Sequence, residues 1–212
     1  MMSHNPIIAQ LVDDLKPVQP FSAKRAALVP IAITALLIGI MGWYLGFRGD
    51  LMAGNPDPMF LLRAGTLLLL GIGSAHAVLS MASPSVGKSQ NSWQMALASA
   101  ALFPLAALIV AFAATPHVDL VNMQSGMQCL QMSILGGFAV AIPMVLRLRQ
   151  GAPTSLTRAG WLTGVASGGL GAFAYGFHCP YNSIVYIGIW YTLAVGLCAV
   201  AGRLIVPRLI RW

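Results

Sequence analysis

Glutamate is missing altogether from these 212 residues, and acid is confined to Asp13, Asp14, Asp50, Asp57 and Asp119. Charged residues of both signs make up only 8% of the chain and hydrophobic residues 58%, whereas a soluble domain carries about 25% charged residues. So little polar surface cannot cover a water-facing globule, and lipid must be the solvent. The shortage of acid leaves a formal net charge of +7. In a soluble protein that excess would suggest nucleic acid, but no basic face with interleaved aromatics occurs, so nucleic acid is not expected as a partner. Cysteine is scarce too. Cys129, Cys179 and Cys198 are too few and too scattered for a disulfide scaffold. There is no CxxC, no HExxH and no glycine-rich phosphate loop, and Ser167 has no recognisable base or oxyanion partner. No catalytic constellation remains, and the chain is read as a non-enzyme.

What is abundant is long apolar runs. A bilayer core of about 30 Å needs roughly 20 apolar residues per helix, and six stretches qualify: Ala26 to Phe47, then about Ala64 to Met81, Trp93 to Thr115, Cys129 to Leu146, Ala159 to Phe177 and Ile184 to Gly202. None contains Asp, Lys or Arg. The first is too long, and starts too late, for a cleaved signal peptide. The expected fold is an all-α membrane protein with six transmembrane helices: a cytoplasmic arm over 1–25, a six-helix domain over 26–204 and a basic tail over 205–212. Lys and Arg set its orientation. Lys16, Lys24, Arg25, Lys88, Arg147, Arg149, Arg158, Arg203, Arg208 and Arg211 fall on one side, and only Arg48 and Arg63, both assigned to the first loop, fall on the other. The positive-inside rule puts both termini in the cytoplasm and turns the third loop and the stretch GFHCPYNS (Gly176 to Ser183) outward.

Within the spans the one ionisable group is His76, which reads as a hydrogen-bonded packing residue. Pumps and ion-coupled carriers place ionisable groups at membrane depth, so a transporter is the rival reading rather than the leading one. A membrane thiol oxidoreductase would need paired active-site cysteines. Gly160, Gly164, Gly168, Ala172 and Gly176 recur every fourth residue, a small-residue stripe that permits close helix approach. It serves packing inside one bundle or pairing with a second copy. Pro30, Pro104 and Pro143 lie inside spans, where neighbouring helices tolerate them.

The segment ahead of the first span is amphipathic. Ile7, Ile8, Leu11, Val12 and Leu15 fall on one helical stripe opposite Gln10, Asp13 and Asp14. Asn5 and Pro6 suit a helix start, and Pro17 and Pro20 a stop. So short a helix is marginal alone and gains order by laying its stripe on something. Membrane-surface helices carry Lys and Arg on the polar face, but here that face is acidic. A protein partner with a hydrophobic groove fits better than the lipid surface.

DDLKPV before the first span, LRLRQGAP after the fourth, HCPYNS before the sixth, WYTLAV within it and PRLIRW at the end resemble the NrsF family over nearly the whole chain. Its members are six-span inner-membrane anti-sigma factors that hold an extracytoplasmic-function sigma factor inactive. The resemblance implies that the cytoplasmic N-terminal segment contacts the sigma factor. It also implies that two outward-facing cysteines, here Cys129 and Cys179, sense heavy metals or oxidants. The family usually places an acidic residue where this chain has Asn182, which argues against a carboxylate ligand in the turn. His178 and His117 are expected on the same side as the thiols. Cys and His together suit soft metals, so Cys129, Cys179 and His178 form a candidate set for a transient heavy-metal ion, with a disulfide as the alternative. Cys198 reads as packing filler. No resident cofactor is expected.

Overall fold

The computed structural model describes residues 23–82, 123–151, 153 and 155–211, and these are helical throughout their ordered elements. Helix α1 spans Ala23–Leu45, the one-turn α2 spans Gly49–Met52, α3 spans Pro58–Met81, α4 spans Met123–Gln150 and α5 spans Leu156–Gly176. The last, α6, runs over Ile184–Leu209 and includes a π-helical stretch at Ile187–Tyr191. The arm of residues 1–22, the expected third span at 93–115 and His117 lie outside the described residues.

Local chemistry sets the helix starts. Pro58 occupies the first position of α3, and the Asp57 carboxylate accepts the Met59 N–H at 2.7 Å. A capped start with proline at N1 needs no intrahelical partner there, so α3 begins well before the apolar run and draws Arg63 into its second turn. The sequence reading put Arg63 in a loop and left every span free of charge; the structure corrects both points. Ser155 caps α5 through its hydroxyl, which accepts the Arg158 N–H. In α1, Pro30 is accommodated inside the helix, and the Thr34 hydroxyl donates to the Pro30 carbonyl at 2.8 Å.

Among the described residues, four helices are long and apolar enough to cross a membrane: α1 (from Leu28), α3, α4 and α6. Helix α5 falls short of that apolarity for a packing reason. It occupies the middle of the bundle, between α3, α4 and α6, and is built from small residues because all three neighbours approach closely. A side chain at Gly164 would collide with the Cys198 carbonyl oxygen at 2.2 Å, and one at Gly171 with the Ser133 carbonyl oxygen at 2.4 Å. Gly160, Gly164 and Gly168 all face α6, along Gly202, Ala199, Cys198 and Val195. The small-residue stripe is therefore used inside the chain. Cys198 sits in that seam, against Gly137 and Gly168.

The chain reverses direction at each connection among α4, α5 and α6, which sorts the charges. Arg147 and Arg149 end α4, Arg158 starts α5, and Arg203 and Arg208 close α6, so all five gather at one end of the bundle. The opposite end carries the loop after α1 and the turn between α5 and α6. There Trp43 and Tyr44, 87% and 82% exposed, project from the last turn of α1, as aromatic residues do at a membrane interface. Helix α1 buries few of its residues and packs at the periphery.

Candidate functional site

The GFHCPYNS turn is held from beneath by two arginines. Helix α5 ends at Gly176, and the N–H groups of His178 and Cys179 both return to the Tyr175 carbonyl, at 2.9 and 3.2 Å. This leaves the carbonyls of the turn in need of donors. Arg48 donates from its main-chain N–H to the Phe177 carbonyl at 3.1 Å, and from Nη1 to the Cys179 carbonyl at 2.6 Å and the Asn182 Oδ1 at 3.0 Å. Arg63 reaches up from α3. It donates from Nη1 to the Tyr181 carbonyl at 2.9 Å, and from Nη2 to the Gly176 and Cys179 carbonyls at 3.0 and 3.3 Å. Phe60 lies between the two guanidiniums, 4.9 Å from that of Arg48 and 5.7 Å from that of Arg63, and meets Phe177 edge to face.

The two cations differ in their counter-charge. Arg48 forms a two-point pair with Asp50, Nε to Oδ1 and Nη2 to Oδ2, both at 2.9 Å. That hydrogen-bonded guanidinium holds the Asp50 carboxyl well below the usual carboxylate range, assisted by the Asp57 N–H. Arg63 is fully buried and has no carboxylate partner among the described residues. Burying an ion costs several kcal/mol. Three charge-assisted hydrogen bonds, each worth about 1.5–3 kcal/mol, are of the size needed to offset that cost. They do not neutralise the charge.

Beneath this clamp sit Cys129, from the second turn of α4, and Cys179, from the turn itself; both are free thiols and almost completely buried. They are neighbours in one core cluster with Tyr175, Tyr186, Trp190 and Tyr191. The adjoining Cys129 thiol and, next, the Arg63 guanidinium lower the Cys179 thiol below its ordinary range, against the opposing effect of burial. Around them the polar ends of Ser133, Tyr186, Trp190 and Tyr191, and the Nε of Arg63, are buried without a hydrogen-bond partner. An open cleft of about 490 Å³, lined by Arg48, Asp50, Asn55, Asp57, Pro180 and Asn182 among others, adjoins the outer side of the turn.

Of the sequence-predicted residues, the structure thus brings Cys129 and Cys179 together. It does not add His178, whose Nδ1 lies 2.9 Å from the Gly46 carbonyl oxygen and whose ring meets Tyr175. No three Cys, His, Asp or Glu side chains converge among the described residues. Two thiols beside a buried guanidinium fall short of the three or four protein ligands of a zinc-type site. Asn182 serves as an uncharged acceptor for Arg48. The sequence reading missed Arg48, Arg63 and Asp50, although a signal was present: these arginines are the two cations on the otherwise cation-free side.

The family profile described as "Negative regulator of sigma F" (NrsF) matches residues 11–212. The chain belongs to the NrsF family. It is 29% identical, over the full length of both chains, to the anti-sigma-F factor NrsF of Caulobacter vibrioides (strain NA1000 / CB15N). It is 25% identical to the probable anti-sigma-F factor NrsF of Azospira oryzae, covering 91% of each. No solved structure matches.

Proposed function

We infer that this chain is a multi-pass inner-membrane anti-sigma factor. It holds an extracytoplasmic-function sigma factor on its cytoplasmic arm and releases it when the thiol pair at the outer end of the bundle reacts. The family assignment supports the regulatory half of this reading, since both relatives are described as anti-sigma-F factors. The observation that carries the sensing half is the burial of Cys129 and Cys179 side by side under a turn that Arg48 and Arg63 hold by its carbonyls. A change of state at the thiols acts directly on a clamp that joins the first loop, α3 and the α5–α6 turn. The arm, carrying Ile7, Ile8, Leu11, Val12 and Leu15 beside Asp13 and Asp14, is the sigma-binding segment, and both termini face the cytoplasm. The absence of a third donor among the described residues favours thiol oxidation over durable coordination of a heavy-metal ion.

The test is capture. Tagged full-length protein, extracted from the membrane of cells not exposed to stress, retains a soluble sigma factor; protein lacking residues 1–25 does not. Clean absence of a sigma factor from the full-length preparation favours the transporter reading.

A further inference from the structure

We propose that Arg63 is the counter-charge of the thiol pair, making Cys179 the attacking sulfur and Cys129 the resolving sulfur in closure to a disulfide. This deepens the sensing half of the proposed function and rests on it. The geometry distinguishes the two arginines. Both donate to the Cys179 carbonyl, but Arg48 is neutralised by Asp50, whereas Arg63 is fully buried and its partners are carbonyls on either side of Cys179. A buried cation with no carboxylate partner among the described residues favours ionisation of the nearest group that can lose a proton. Among the described residues, the groups facing Cys179 are Arg63 from α3, Arg48 from the first loop, Cys129 from α4, Tyr175 from α5, and Tyr186 and Tyr191 from α6. Among the side chains that lose a proton, the two thiols do so most readily, and Arg63 brackets Cys179 rather than Cys129. The surroundings agree. The groups of this site without a hydrogen-bond partner among the described residues, Tyr186 OH, Tyr191 OH, Trp190 Nε1, Ser133 Oγ and Arg63 Nε, can all donate, and Trp190 Nε1 and Arg63 Nε can only donate. A thiolate sulfur offers them an acceptor.

The reaction follows with a peroxide as the two-electron oxidant. The Cys179 thiolate gives an electron pair to one peroxide oxygen, the O–O bond breaks and hydroxide leaves, forming a sulfenic acid. The Cys129 sulfur then attacks that sulfur, the S–S bond forms, the S–O bond breaks, and water leaves with the Cys129 proton. The negative charge departs as hydroxide. Arg63 thus loses its anion when the sulfenic acid forms, the disulfide does not restore it, and its hold on the Gly176, Cys179 and Tyr181 carbonyls is left without a balancing charge.

The experiment uses full-length protein carrying Cys129→Ser and Cys198→Ser, so that Cys179 is the sole cysteine, in lipid nanodiscs. Alkylation by iodoacetamide is followed by mass spectrometry from mildly acid to alkaline pH. The midpoint of the rate profile is expected well below the ordinary thiol value of about 8.5. Arg63→Gln raises it by at least one pH unit, which lowers the rate about ten-fold at a pH below both midpoints. Arg63→Lys keeps the charge and restores most of the rate, and Arg48→Gln shifts the midpoint much less than Arg63→Gln. A midpoint at or above the ordinary value in the single-cysteine parent overturns the proposal even if no Arg63 variant folds. So does an equal effect of Arg48→Gln and Arg63→Gln, or a failure of Arg63→Lys to rescue. These readouts need no sigma factor, so they stand or fall separately from capture of one.

Discussion

Replacing Gly164 by alanine adds one methyl group to the middle of the bundle, and the structure sets its cost. The new Cβ would lie 2.2 Å from the Cys198 carbonyl oxygen and 2.6 Å from the Ala199 Cα. Both are backbone atoms of α6, so no side chain can rotate away. To reach ordinary contact the helices must separate by roughly 1 Å at this level. Overpacking a core costs about 1–3 kcal/mol, and an obstruction made of backbone places Gly164→Ala at the upper end. At about 2–4 °C per kcal/mol for a chain of this size, the melting temperature in detergent falls by about 6–12 °C. The α5–α6 turn carries Cys179, so the same displacement raises thiol exposure, read as faster labelling by a bulky maleimide. Gly196→Ala, on the facing helix α6, is the control. Nothing lies within 4 Å of its added Cβ, and alanine there gains up to about 1 kcal/mol of helix propensity. If Gly164→Ala melts with the parent and with Gly196→Ala, the close α5–α6 seam is wrong.

Three further outcomes follow from the same account. Leu11→Arg puts an unpaired charge on the arm's apolar stripe at a cost of several kcal/mol in an interface; target genes become constitutively expressed while the protein inserts normally, and unchanged repression places the sigma contact elsewhere. Alkaline phosphatase fused after Thr115 is active and a fusion after Arg149 is inactive, whereas the reverse pattern inverts the topology. Asp50→Asn leaves Arg48 without its anion. Removing one partner of a buried pair costs about 3–5 kcal/mol, and the 24% exposure of Asp50 brings this nearer 1–2 kcal/mol. Because Arg48 depresses the Asp50 carboxyl, the pair contributes at every pH above the usual carboxylate range and is lost only as strong acid titrates the folded group. The melting difference between parent and variant should therefore persist through mildly acidic pH and close only below it.

Helices driven by apolar length were legible in the sequence: α6 starts at Ile184, where its run was read to start, and α1 and α5 differ from their runs by a few residues at each end. The start of α3 was not, because the Asp57–Pro58 cap begins the helix six residues before the run was read to start and carries Arg63 with it. The glycine stripe showed that α5 would pack closely. It did not show that three helices share α5, since the contacts of Gly169 with α3 and Gly171 with α4 lie off the stripe. Cys129 and Cys179 were each visible as candidates. Their meeting depends on the antiparallel register of α4 against α5, which no local pattern encodes. The arginine clamp was hidden for a related reason: positive charge was counted as a topological signal, and Arg63, whose hydrogen-bond partners are main-chain carbonyls, leaves no complementary side chain to find.

The central claim is that the redox state of the thiol pair controls retention of the sigma factor. Its most direct test is binding of the purified cognate sigma factor to full-length protein in nanodiscs, measured before and after peroxide treatment, with the Cys129–Cys179 disulfide quantified in the same samples. The account predicts tight binding in the reduced state and loss of binding in proportion to disulfide formed. Binding should be unaffected by peroxide in the Cys129→Ser, Cys179→Ser variant and restored to the parent by a reductant. Undiminished binding by parent protein in which the disulfide has fully formed would contradict it.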